Sequence, residues 1–241
     1  MLVASRTGAW AKSGSPTPPA YGGLCFTAEA TNSSVQLTAV GSAPSVTLIK
    51  SFDGVNWEDY AVGEVIELPS IGNYVYLAAG EGGNKTFGSS LSDYHMFVIN
   101  GLVAASGDIT SLRRFGLLQT TLANYCYNSM FHGCTGLTSA PELPATTLNT
   151  SCYNRMFYGC TGLTSAPELP ATTLATYCYN SMFSGCTRLS LIKVNFTAWG
   201  TQTNTWVSNV SPTGTFYKPS ALPEEFSTSK IPTGWTVVNI D

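Results

Sequence analysis

The chain is 241 residues long, enough for one large or two small domains. Its hydrophobic content of 44% is ordinary, but only 10% of its residues are charged, so the surface must be built from Thr, Ser, Asn, Gly and Tyr. With 11 Lys and Arg against 14 Asp and Glu, it lacks the clustered basic surface that nucleic acid requires, and no run approaches the ~18 apolar residues of a membrane span.

The first 23 residues do not read as an export signal. Leu2 to Ala4 is too short for an apolar core, and Arg6 and Lys12 follow it instead of preceding it. Residues 1–23 are expected to form an extended arm, rich in Gly, Ser and Pro from Ser13 onward, with Trp10 available to dock onto a partner subunit.

Residues 24–108 read as β-structure. The runs LCFTAEA, SVQLTAV, SVTLIKSF, VNWEDY, EVIELP, NYVYLAA and YHMFVIN are rich in β-branched and aromatic residues. Asn32-Ser33, Asp53-Gly54, Gly72-Asn73, Gly82-Gly83 and Asn100-Gly101 separate them as turns. Asp53-Gly54 marks the clearest hairpin, with Trp57 packed across its strands. Strands this short and this regularly spaced predict an antiparallel β-sandwich-like domain. From Ser106 to Leu118 the chain reads as a divergent opening coil, because Leu117 and Leu122 precede Leu143 and Leu148 by one repeat period.

That period is set by three near-identical blocks. CYNSMFHGCTGLTSAPELPATTL begins at Cys126, CYNRMFYGCTGLTSAPELPATTL at Cys152 and CYNSMFSGCTRL at Cys178, with a step of 152 − 126 = 26 residues. A fixed step of roughly 20–29 residues is the mark of a leucine-rich-repeat solenoid. Leu122, Cys126 and Met130 at i, i+4, i+8, with Tyr127 and Phe131 beside them, predict one apolar stripe on a short helix. Thr120-Thr121 would cap its start and Gly133 its end. The following Cys-Thr-Gly-Leu-Thr-Ser-Ala-Pro reads as a short strand, with Cys134 and Leu137 inward and Thr135 and Thr138 outward. The expected fold is therefore mixed α and β. Residues 109–218 would form the repeat solenoid and residues 219–241 a C-terminal cap, whose WTVVNI would add the last strand.

Positions that change between blocks are expected on the solvent face. These are Ser129/Arg155/Ser181, His132/Tyr158/Ser184, Asn149/Ala175 and Ser151/Tyr177. The candidate binding residues follow: Thr135, Thr138, Thr161 and Thr164 along the strand face, flanked by His132, Arg155 and Tyr158.

No catalytic, metal or cofactor site is expected. The two cysteines of a block stand eight apart (134 − 126 = 8) with no Cys-x2–4-Cys pair, so they read as buried columns rather than zinc ligands. His95 and His132 are far apart and support no nucleophilic dyad. Glu224-Glu225 reads as a solvated pair on a loop.

The string CYxxMFxGCTxLTxAPELPATTL resembles the BspA-like leucine-rich repeats of bacterial surface antigens, found in Bacteroidales and in their phages. The resemblance spans about residues 109–218, and the closing GTFYKPSALPEEFSTSKIPTGWTVVNID is similar to the end of such proteins. It implies surface display, adhesion and glycan or protein contacts, and no enzymatic activity. The function expected on this basis is that of a non-enzymatic phage virion surface protein, such as a capsid decoration, head fibre or tail adhesin. It would attach to virion structural proteins through the N-terminal arm and bind host-surface glycan or protein through its repeats, with homo-oligomers as an option. A bacterial cell-surface adhesin and an accessory domain of a glycan-degrading enzyme are the alternative readings.

Overall fold

The computed structural model describes residues 23–240; the expected arm, with Trp10, lies almost wholly outside the described residues. Eight strands come first: β1 Leu24–Ala28, β2 Ser33–Val40, β3 Leu48–Ser51, β4 Glu58–Tyr60, β5 Val65–Leu68, β6 Tyr74–Ala79, β7 Tyr94–Asn100 and β8 Val103–Ser106. Each of the seven sequence runs contains one strand, and β8 is an eighth that they did not include. A six-stranded sheet runs β4-β3-β6-β1-β8-β9, where β9 is Leu137–Ser139 of the first block. A three-stranded antiparallel sheet runs β5-β2-β7. The two sheets meet through Phe26 of β1 against Phe97 of β7, with ring centroids 4.8 Å apart, and through the Tyr60 hydroxyl, which accepts from the Leu37 amide at 2.8 Å.

The expected Asp53-Gly54 hairpin joins β3 to β4. The Asp53 carboxylate accepts from the amides of Val55 and Asn56, and Gly54 takes φ +75. Trp57 packs on Phe115, at 4.6 Å between rings, rather than only across its own strands. Asn84 clamps this half of the chain: buried, it exchanges two hydrogen bonds with Thr47 and donates a third to the Leu112 carbonyl.

The repeats depart from expectation. The mixed α and β fold with a leucine-rich-repeat solenoid is not formed. Among the described residues there is no α-helix, only the 3-10 turns Ile109–Leu112 and Thr201–Thr203. The architecture is nearly all β, in several open sheets.

Two physical reasons overturn the helix. First, Tyr125, Ser129 and Gly133 all have φ between +55 and +74, as do Ser151, Arg155 and Gly159, and then Tyr177, Ser181 and Gly185, between +52 and +79. A left-handed residue every fourth position cannot sit inside a right-handed helix. Second, the amides do not all stay home. Those of Asn128, Met130, His132 and Cys134 bond three residues back within their own block. Those of Tyr125, Tyr127, Ser129, Phe131 and Gly133 donate instead to carbonyls 25 residues on (152 − 127 = 25), at 2.7–2.9 Å. The second block donates to the third in the same register.

Nor is there a continuous column of repeat strands. The first block's strand, β9, pairs parallel with β8. The second block makes only isolated bridges, Ser165 to Leu191 and Leu169 to Val194. The third leads into β10 Leu191–Lys193, which begins a separate parallel sheet with β11 Thr215–Lys218 and β12 Thr236–Asn239. The final WTVVNI thus adds a strand, but β12 is itself the edge of that sheet.

The blocks rest on the β-sheets directly. Phe97 of β7 donates its amide to the Met130 carbonyl at 2.7 Å, just as Phe131 donates to Met156, and Phe87 donates to Cys126 as Tyr127 does to Cys152. Phe87 and Phe97 thus occupy the places of a preceding block. That is why the expected opening coil does not form: its place is taken, and Leu117 and Leu118 are 52% and 59% exposed. At the other end Tyr179, Ser181, Phe183 and Gly185 donate to residues 202–208. One hydrophobic cluster runs from Leu24 to Trp235.

Two predictions follow from these contacts. At Gly136 a Cβ would lie 1.9 Å from the Gly101 carbonyl oxygen, a backbone atom that cannot swing away. Gly136→Ala should cost about 3 kcal/mol, the top of the usual overpacking range, read as a lowered denaturant midpoint. Among the stacked tyrosines, the Tyr127 hydroxyl donates to the Ile109 carbonyl, whereas the Tyr153 hydroxyl is buried with no partner. Tyr153→Phe should therefore stabilise the fold by ~1 kcal/mol while Tyr127→Phe destabilises it, since an unsatisfied buried hydroxyl costs about 1–3 kcal/mol.

Candidate binding surface

The invariant Cys, Tyr, Met and Phe of each block and the Leu at 137, 163 and 189 are buried, whereas the equally invariant Thr146, Thr147, Thr172 and Thr173 are exposed. Phe97, Phe131, Phe157 and Phe183 form one column, with successive ring centroids 5.1, 5.4 and 5.7 Å apart. Phe87, Tyr127, Tyr153 and Tyr179 form another, spaced 6.0, 5.9 and 6.1 Å. The seven cysteines are free and buried. Burial pushes the thiols of Cys134, Cys178 and Cys186 up to about 12 and that of Cys25 to about 11, so they act as S–H donors. Cys134, Cys160 and Cys186 donate to the carbonyls of Phe97, Phe131 and Phe157 at 3.0–3.1 Å. Among the described residues, no group of three His, Cys, Asp or Glu side chains is placed to hold a metal.

Of the positions expected on the solvent face, only the larger side chains reach it. Arg155, Tyr158, Tyr177 and Asn149 are exposed, while Ser129, Ser151, Ser181 and Ser184 are buried. Small serines at these places are covered by neighbouring chain; Ser181, for example, hydrogen-bonds Thr205 at 2.9 Å. The repeat register brings His132 onto Tyr158 (158 − 132 = 26), with rings 5.0 Å apart and 4° from parallel. Arg155, held at φ +52, stands close enough for its charge to act on His132. These three candidate residues form one cluster, in which Arg155 and Tyr158 are exposed and His132 is half-buried.

The threonines do not form a uniform face. Thr135 is exposed and Thr161 half-buried; a Cβ at Gly162 would lie 2.7 Å from the Thr135 carbonyl oxygen, so the backbone runs close there. Thr138 is committed to the sheet, its Oγ1 donating to the Val103 carbonyl at 3.3 Å. Thr164 is exposed, and its carbonyl accepts from the Ser190 amide. Sequence reading did not single out a groove at the far end of the stack, between Trp199 and Pro223. It lies beyond the last repeat, where comparison between blocks has nothing to compare.

Burial holds the His95 imidazole below its usual range, outweighing its hydrogen bond with the Phe87 carbonyl. Burial first, and then the Arg155 charge, do the same to His132. Both imidazoles are neutral in the folded chain at pH 7, so the unfolded chain takes up protons first as the pH falls. The stability they hold is present above about pH 6.5 and is lost as the pH drops below it. Proton NMR should find both imidazoles titrating below ~6.5, with a denaturation midpoint lower at pH 5 than at pH 7.

No family model, no curated protein and no solved structure matches this chain.

Proposed function

We propose that the chain is a non-enzymatic binding protein of a phage particle's surface, and that it engages host-surface glycan or protein through the cluster of His132, Arg155 and Tyr158. One observation carries the reading: a stacked imidazole–phenol pair beside an exposed guanidinium, on a molecule otherwise poor in charge. Tyr and Arg are the residues that most often dominate binding energy, because a flat ring or planar cation covers large area with few rotors. Thr135 and Thr161 supply neighbouring hydroxyls that donate and accept. The resemblance of the repeats to surface antigens supports display outside the cell. In this reading the residues before Gly23 attach the chain to the virion's structural proteins.

The test has two arms. Antibody raised against the chain should decorate purified phage particles; decoration of intact bacterial cells alone would favour a cell-surface adhesin instead. Purified chain should bind host cells, and Arg155→Ala with Tyr158→Ala should weaken that binding at least tenfold, or ~1.4 kcal/mol. Binding unchanged in the double variant would overturn the assignment of the site.

A further inference from the structure

We infer a second, separate binding site for a neutral saccharide in the groove centred on Trp199. It contains none of the residues of the cluster above. The groove has a volume of ≈ 440 Å³, within the roughly 300–1,000 Å³ of small-molecule sites, and Thr197, Ala198, Trp199, Pro223, Glu225 and Lys230 line it.

Its chemistry is that of a sugar platform. The Trp199 indole N–H donates to the Pro223 carbonyl at 2.8 Å, which fixes the ring and uses up its only polar atom. Behind it the ring packs on Phe196, Trp206 and Phe216, at centroid distances of 5.4, 6.3 and 6.2 Å. Trp199 is nonetheless only half-buried, so part of the indole lines the groove. A rigid, partly open aromatic face of this kind suits the C–H face of a pyranose ring, which is flat and apolar while its rim carries hydroxyls.

The polar groups point the same way. Lys230 and Glu225 form an ion pair at the rim. Because each charge is already compensated, the groove has no bare cation to select a phosphate or carboxylate and no bare anion to select an amine. The ammonium keeps N–H donors and the carboxylate keeps lone pairs that the pair does not use, side by side, which matches vicinal hydroxyls that both donate and accept. The hydroxyls of Thr197 and Ser229 add to this set. An apolar peptide would find Trp199, Ala198 and Pro223 to bury against, but would have to desolvate the Glu225–Lys230 pair beside them without replacing its hydrogen bonds to water.

The test is titration of the whole chain, followed by tryptophan fluorescence and calorimetry, with glucose, galactose, mannose, fucose, N-acetylglucosamine and their short oligomers. At least one should bind. Trp199→Ala should weaken that binding tenfold or more. Since Trp199 also packs the cap, Ala198→Arg provides the independent check: Ala198 is exposed, and the new side chain would fill the groove without touching the core. It should abolish saccharide binding with an unchanged melting temperature, while Tyr158→Ala should leave it intact. Failure of every sugar in the panel to bind, or binding that survives Ala198→Arg, overturns the inference. Loss of saccharide binding in Tyr158→Ala but not in Ala198→Arg would place it at the other cluster.

Discussion

The architecture depends on how the backbone amides of the repeats are shared. Within each block alternate amides close a tight turn on their own chain, and the others reach across to the next block. A buried amide without an acceptor costs free energy comparable to a lost hydrogen bond. No block can therefore satisfy itself, and the stack holds only as a set. Left-handed residues every four positions make this alternation possible, because they reverse the local twist before a helix can propagate. At Tyr125, Ser129, Ser151, Arg155, Tyr177 and Ser181 that conformation carries a steric cost for an L residue, borne by the contacts of the neighbouring block.

The columns inside the stack follow from the same register. A fixed 26-residue step places identical side chains on one another, so each ring meets a ring and the thiols of Cys134, Cys160 and Cys186 each meet a carbonyl. Aromatic pairs add about 0.5–1.5 kcal/mol apiece beyond the area they bury. The thiols are small enough to fill space beside the rings and still give a weak hydrogen bond; the Phe131 and Phe157 carbonyls accept it on a second lone pair, beside the turn amide of Cys134 or Cys160. This arrangement gives the invariant Cys, Tyr, Met and Phe of the blocks a structural role. The proposed binding residues His132, Arg155 and Tyr158 lie where the blocks differ in size, and the Trp199 groove lies in the cap beyond them.

Much of this is legible in the residues, but not all. The seven early strands show in their β-branched runs and turn dipeptides. β8 does not, because Val-Ala-Ala-Ser has one β-branched residue and no alternation. The 26-residue step and the buried identity of Cys, Tyr, Met, Phe and Leu are also plain. The helix was misread because its signal was an i, i+4 spacing, which a period of 3.6 and a period of four share over two turns. The string Cys-Tyr, Asn-Ser, Met-Phe, His-Gly, Cys alternates apolar and polar pairs with a strict period of four, which a right-handed helix would not hold. Leu117 shows the complementary failure. Its spacing matches Leu143, but spacing cannot reveal that Phe87 and Phe97, from an unrelated stretch, already fill the berth. The serines at 129, 151 and 181 were misplaced on the outside because substitution between blocks tracks available room as much as exposure.

The sharing of amides has a direction. The alternate turn amides of each block donate toward the C-terminus, onto chain that the ribosome has yet to deliver, although Thr146 and Thr147 donate back to Thr120. A nascent polypeptide halted after Gly133 carries five such groups, on Tyr125, Tyr127, Ser129, Phe131 and Gly133, all awaiting acceptors. The β-sheets come first in the chain, and the turn amides of each later layer find their acceptors in the one translated after it. Segment 202–208, on which the third block closes, passes the same demand on once more: Val207 donates to the Thr228 carbonyl and Thr205 to the Ser229 hydroxyl.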